Sequence, residues 1–294
     1  MIRELHAELV DPAAAQVGEA PAWDAAHDCL VWTDITAGLV HLSDASGRWL
    51  RTYDVGVDVG AALPSAAGGW LLACQEGFRH LSEDGSCRTV LPVHPDRPDL
   101  RFNDGKCDPR GRAWAGTMAY DQTPGAATLY RLDPGPQAVP VLRGLTLANG
   151  LGWAPDGRTM WFTDSATQRV VGYAYDLDTA TLGPERACVE IAAAQGMPDG
   201  LCVDDDGCVW VALWGGSAVH RYTPEGRLDT VVQLPTAQVT SCAFGGPGRA
   251  TLYITSAVHQ MDAAALAREP AAGGLFLAAT TSTGAPATPW AGEG

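Results

Sequence analysis

"LRFNDGKCDPRGRAWAGTM", residues 100–118, contains the unit from which the rest of the chain is built. It opens on groups that resist burial, Arg101, Asn103, Asp104 and Lys106. It then passes through the turn "DPRG" and becomes apolar at Ala113, Trp114 and Ala115. Two short segments around a Pro-Gly turn read as hairpin strands. Taking Asn103 as a marker, Gly111 follows at eight residues and Trp114 at eleven. The pattern returns at Asn149 (Gly157 at eight, Trp161 in "MWFTDS" at twelve) and at Asp199 (Gly207 at eight, Trp210 in "VWVALW" at eleven). Looser copies start at Glu19 (Trp32 in "LVWTDI"), Gly60 (Trp70 in "WLLACQ") and Thr240 (Tyr253 in "LYITSA").

Six markers, Glu19, Gly60, Asn103, Asn149, Asp199 and Thr240, therefore recur at intervals of 41 to 50 residues. A third apolar-alternating segment follows in each unit, and a fourth, such as "WLRTYDV" or "TVVQLP", in five of the six. Four short strands per unit at this period predict an all-β, six-bladed β-propeller with four-stranded blades. An open β-sandwich is the weaker alternative, because it would not require in-phase copies. The last unit lacks a fourth strand, and "RELHAELV" at 3–10 stands where one would be. The N-terminal strand is thus expected to complete the last blade and close the ring, removing exposed sheet edges. On this reading residues 1–278 form a single propeller domain, followed by a polar C-terminal tail over 279–294.

Composition narrows the partners. A formal net charge of −15 argues against nucleic acid, which selects for a surplus of Lys and Arg, and is compatible with cation binding. The N-terminus has no apolar leader segment, and no run of residues is long enough to span a bilayer. The eight cysteines are scattered singly with no CxxC pair, so reduced, mostly buried thiols and a cytoplasmic location are expected. A closed propeller needs no partner subunit, so a monomer is expected.

The phase of the repeat also locates chemistry. In a propeller the first strand of each blade lines the central channel, so equivalent positions converge on one axis. The markers sit just before that strand, at one mouth. Glu19, Asn149 and Asp199 are hard-oxygen donors, and the acidic pair among them would repel without a counter-ion. They are candidate ligands of one divalent cation, Ca²⁺ first, with Mg²⁺, Mn²⁺ or Zn²⁺ also suited. Asn and Asp before Gly also commonly cap turns, which is the plainer alternative for each taken singly. A cation would repel Arg101, so Arg101 and Asn103 suit the grip of a substrate. The seven histidines form no HxxxH or HExxH pattern, and no GxSxG is present. "DDDG" at 204–207 reads as a hairpin turn rather than a calcium loop.

The stretches "GEAPAW" at 18–23, "RFNDGKCDPRGRAWAGTM" at 101–118, "ANGLGWAPDG" at 148–157, "PDGLCVDDDG" at 198–207, "TSCAFGG" at 240–246 and "AGGLF" at 272–276 resemble the regucalcin (senescence marker protein)/gluconolactonase family. The resemblance covers nearly the whole chain in order. It implies a six-bladed propeller with a divalent metal in the channel and hydrolysis of a sugar lactone, a small-molecule substrate. It places the metal ligands on Glu19, Asn149 and Asp199 and substrate contacts on Arg101 and Asn103. A further substrate contact is placed on Asp121, where animal regucalcins carry glutamate. In the implied mechanism the cation polarises the lactone carbonyl and Asp199 takes a proton from the attacking water. The loops at 91–99 and 120–128 are expected to line the pocket. Two rival functions share the fold: a propeller esterase or phosphotriesterase, and a non-enzymatic calcium-binding propeller.

Overall fold

The computed structural model describes residues 2–135 and 137–292. Six sheets, antiparallel except for one added N-terminal strand, succeed one another along the chain and radiate from a common axis. Their innermost strands are Gly18–Asp24, Val59–Pro64, Leu100–Cys107, Ala148–Trp153, Met197–Val203 and Val239–Gly245. Each packs on the innermost strand of the next blade, and the sixth packs on the first, so the ring is closed. We number the blades one to six in that order.

Six apolar clusters fill the six interfaces between blades. The aromatic residue of each second strand (Trp32, Trp70, Trp114, Trp161, Trp210, Tyr253) is at most 2% exposed and supplies the bulk of a cluster. The interface of blades two and three receives none of them. Its aromatic filling is Phe78, Phe102 and, from the far end of the chain, Trp290. Asp residues in the hairpin turns anchor several of the others. Asp204, for example, accepts hydrogen bonds from the Cys208 amide (2.9 Å), Trp210 Nε1 (3.0 Å) and Arg221 Nε (2.7 Å). "DDDG" is accordingly a hairpin turn.

The N-terminus closes the ring, but only half of it does so. Glu8–Asp11 pairs antiparallel with Leu275–Ala279 and completes blade six. Arg3–His6 instead runs parallel to Leu228–Gln233 as a fifth strand on blade five, so the segment before Glu8 spans the seam between two blades. After Ala279 the chain crosses the back of the molecule. Its backbone makes hydrogen bonds to Asp205, Arg249, Trp23, Pro64 and Gly111, touching five blades in turn. All eight cysteines are free, and six of them are buried. Among the described residues no helix is long and apolar enough to cross a membrane.

Candidate active site at one mouth of the channel

All six innermost strands carry a β-bulge at the marker. The ladder to the second strand skips between Glu19 and Ala22, Val59 and Ala61, and Phe102 and Asp104. It skips again between Ala148 and Leu151, Pro198 and Leu201, and Val239 and Ser241. A bulge leaves one or two residues out of the pairing and re-aims their side chains. Here it turns the marker out of the blade interface and towards the axis. Asn149 and Asp199 are therefore strand residues that cap no turn. The glycines after them serve close approach instead. A Cβ on Gly150 would lie 2.5 Å from the Leu201 amide nitrogen, and one on Gly200 would lie 2.0 Å from Ser241 Oγ.

Four of the six markers, Glu19, Asn103, Asn149 and Asp199, line one cavity of about 310 Å³ together with Arg101. All five are buried. Gly60 brings no side chain, and a Cβ there would lie 2.6 Å from the Phe102 carbonyl oxygen. Thr240 spends its hydroxyl on the ring seam, donating to the Gly18 carbonyl at 2.6 Å. Asp121 is exposed and outside the lining; its carboxylate accepts hydrogen bonds from the amide and hydroxyl of Thr123 at 3.0 and 2.8 Å. Its neighbours Tyr120 and Gln122 line the cavity, as do Trp214 and His259. The loop at 91–99 does not line it. Tyr120 and Trp214 escape a reading confined to the markers. The usable signal was that every second strand runs antiparallel to the first and so ends at the same mouth.

The polar groups are arranged asymmetrically. Asn149 Nδ2 donates to Asp199 Oδ1 and to Ser165 Oγ (3.1 Å). Asn149 Oδ1 is buried with no hydrogen-bond partner among the described residues. Glu19 Oε2 accepts one bond from the Ala20 amide at 2.6 Å. Burial, then the nearby Asp199 and Asp104 charges, push the Glu19 carboxyl well above its ordinary value. Burial likewise pushes Asp199 well up, against the pull of the Asn149 hydrogen bond. Arg101 Nη1 donates to Phe102 O (3.0 Å) and Asn103 Oδ1 (2.9 Å), and Asn103 Nδ2 donates to Ala148 O (3.2 Å). Among the described residues no carboxylate lies within ion-pair distance of Arg101.

Two buried carboxylates that resist ionisation, beside an orphaned carboxamide oxygen, form a set of hard donors that a divalent cation would satisfy. The set holds two carboxylates and one amide oxygen. Among the described residues no three His, Cys, Asp or Glu side chains gather as a metal cluster.

A closed six-bladed ring with a buried, oxygen-rich pocket at one channel mouth defines the class: a propeller built around a small-ligand site on its axis. Within that class the chain belongs to the SMP-30/Gluconolactonase/LRE-like family, which matches residues 17–258. Regucalcin of Danio rerio is 38% identical over 266 residues, covering 89% of this chain and 90% of the relative. YvrE of Bacillus subtilis (strain 168), whose name points to a sugar lactone lactonase, is 34% identical over 95% of this chain and 96% of its own. The crystal structure of a calcium-binding protein, regucalcin, from Agrobacterium tumefaciens superposes with a TM-score of 0.92. It is 26% identical and covers 99% of both chains.

Proposed function

We propose that the protein is a cation-dependent hydrolase that opens the ring of an aldonolactone. The observation that carries this reading is the juxtaposition of Glu19, Asp199 and Asn149, whose Oδ1 is orphaned, against an Arg101–Asn103 pair in one cavity. At about 310 Å³ the cavity is at the small end of ligand pockets, which run from roughly 300 to 1,000 Å³, as a single sugar ring requires. The family description and the names of the curated relatives support a lactone substrate and, for regucalcin, calcium.

Glu19, Asn149 and Asp199 would hold the cation. When bound it supplies Lewis-acid polarisation of the lactone carbonyl and charge to stabilise the developing oxyanion. Arg101 and Asn103 orient the ring through its hydroxyls; among the described residues only the guanidinium Nη1 is engaged, which leaves Nε and Nη2 to donate. Asp199 accepts a proton from the water whose oxygen bonds to the carbonyl carbon. The ring C–O bond then breaks, the departing oxygen takes a proton, and an open-chain acid is left. Asp121 would contact substrate only if its turn reorganised. The free thiols suit a reducing compartment such as the cytoplasm.

Acid release in a pH-stat tests the reading, with a panel of aldonolactones and protein first stripped of metal and then given Ca²⁺, Mg²⁺, Mn²⁺ or Zn²⁺. Turnover that returns only with a cation and favours one sugar is the expected result. No lactone turnover under any of these conditions would overturn it. One observation favours a second reading. The wall formed by Val17, Met118, Leu147, Met197 and Trp214 is apolar and would accept an aryl ester, so phenyl acetate is the comparison substrate.

A further inference from the structure

Blade two contributes nothing to the axis directly, because its marker is Gly60. It reaches the site by another route. Asp58, two residues before that marker, accepts a hydrogen bond at 2.8 Å from the hydroxyl of Tyr120, which belongs to blade three. The Tyr120 ring in turn faces the Arg101 guanidinium, 6.0 Å from ring centroid to Cζ. Tyr120 is 46% exposed and lines the cavity. Its backbone is pinned, since its amide donates to the Asp99 carbonyl at 3.0 Å and Gln122 closes the turn onto Ala119. Burial and the Asp58 hydrogen bond both raise the phenol's pKa, so it remains a donor to Asp58 at neutral pH. Among the described residues no carboxylate lies within ion-pair distance of Arg101; its Nη1 is held by Phe102 O and Asn103 Oδ1, the Asp58 charge acts on it from farther away, and the Tyr120 ring is the aromatic face it meets.

We propose that Asp58, Tyr120 and Arg101 form a positioning row in which Asp58 fixes the Tyr120 ring, and the ring sets where the Arg101 guanidinium meets the sugar. Tyr120 is then a specificity-determining wall of the pocket and Asp58 a positioning residue that touches no substrate. The role rests on the lactonase reading given above. A guanidinium held against an aromatic face gains modestly from the contact and loses freedom to reorient. The row therefore acts on binding and on the choice among sugars more than on the chemical step.

The test compares wild type, Asp58→Ala, Tyr120→Phe, the double variant and Asp58→Asn, each loaded with the activating cation. Both single substitutions should raise KM about three- to tenfold, the range one such hydrogen bond accounts for, with kcat within about twofold. The double variant should be no worse than either single one, because both remove the same bond. Asp58→Asn, which keeps an acceptor oxygen, should recover most of the loss. Unchanged KM in either single variant, additive losses in the double, or a matching fall in kcat would overturn the row. If the wild type turns over no lactone, the proposed function fails. The row is then judged on D-gluconate binding measured by calorimetry in the same proteins. The same pattern of weakened binding is expected there, and equal affinities, or no binding by the wild type, overturn it.

Discussion

Burying Glu19 and Asp199 side by side works against the fold, since a carboxylate removed from water loses solvation that one hydrogen bond each does not restore. Such a pair is retained at the expense of stability, which sets up a clean separation of function from folding. In Asp199→Asn the buried charge is gone, while an amide oxygen remains to accept the bond from Asn149. Hydrolysis should fall by about 100-fold or more, the scale of losing a positioned base. Urea unfolding in the presence of a chelator should show the variant at least as stable as the wild type. A less stable variant, or one that retains full activity, would contradict the role given to Asp199. At this scale Glu19, Asn149 and Asp199 were legible in the sequence because they share a phase, and phase becomes position around an axis. Tyr120 was not, since its place depends on Asp58 in another blade, a pairing that no local spacing encodes. Asp121 shows the same limit: adjacent residues in a tight turn face opposite ways, and it is Tyr120 that lines the cavity.

The element that matters most is the bulged innermost strand. "NG" and "DG" ordinarily announce a turn, yet Asn149–Gly150 and Asp199–Gly200 lie within strands, and their glycines admit the neighbouring strand. Strand count and order could be read from the period of Trp and turn residues. The bulge could not, because a ladder skip leaves no compositional trace beyond the small residue. Joints between blades also carry charge. His27, in the first turn of blade one, lies with Nδ1 2.8 Å from Asp24 and Nε2 3.1 Å from Glu83 of blade two. Burial opposes its protonation, but the hydrogen bonds to Asp24 and Glu83 outweigh it and lift its pKa above the ordinary 6.5. The sign follows from linkage: a raised histidine pKa stabilises the fold fully below the unfolded value. That contribution fades as pH rises through the folded value. Melting temperature should thus decline from about pH 6 to about pH 8, and His27→Gln should flatten that slope. A slope unchanged in His27→Gln would assign the effect to other groups.

On the scale of the whole molecule, closure is achieved twice, once at each end of the chain. The N-terminal strand completes blade six, as the missing fourth segment of the last repeat implied. The parallel strand on blade five and the crossing of the back face by residues beyond Ala279 follow no repeat, so periodicity could not reveal them. That crossing has a mechanical logic. The ends of the innermost strands, at Trp23, Cys107, Trp153, Cys202 and Phe244, surround a second cavity of about 130 Å³, and Ala285 to Thr288 lie across it. Trp290 then enters the interface of blades two and three, the one left without a second-strand aromatic, and is 1% exposed there. Truncating a buried tryptophan of this kind costs about 3–5 kcal/mol, because the cavity it leaves cannot collapse between two rigid sheets. Trp290→Ala should lower the melting temperature by roughly 5–10 °C. KM for the lactone should stay unchanged, since the active mouth lies at the opposite ends of the same strands. A loss of substrate affinity equal to that of the Arg101 row would mean that the two mouths communicate through the innermost strands. An unaltered melting temperature would mean that the crossing segment does not hold the ring.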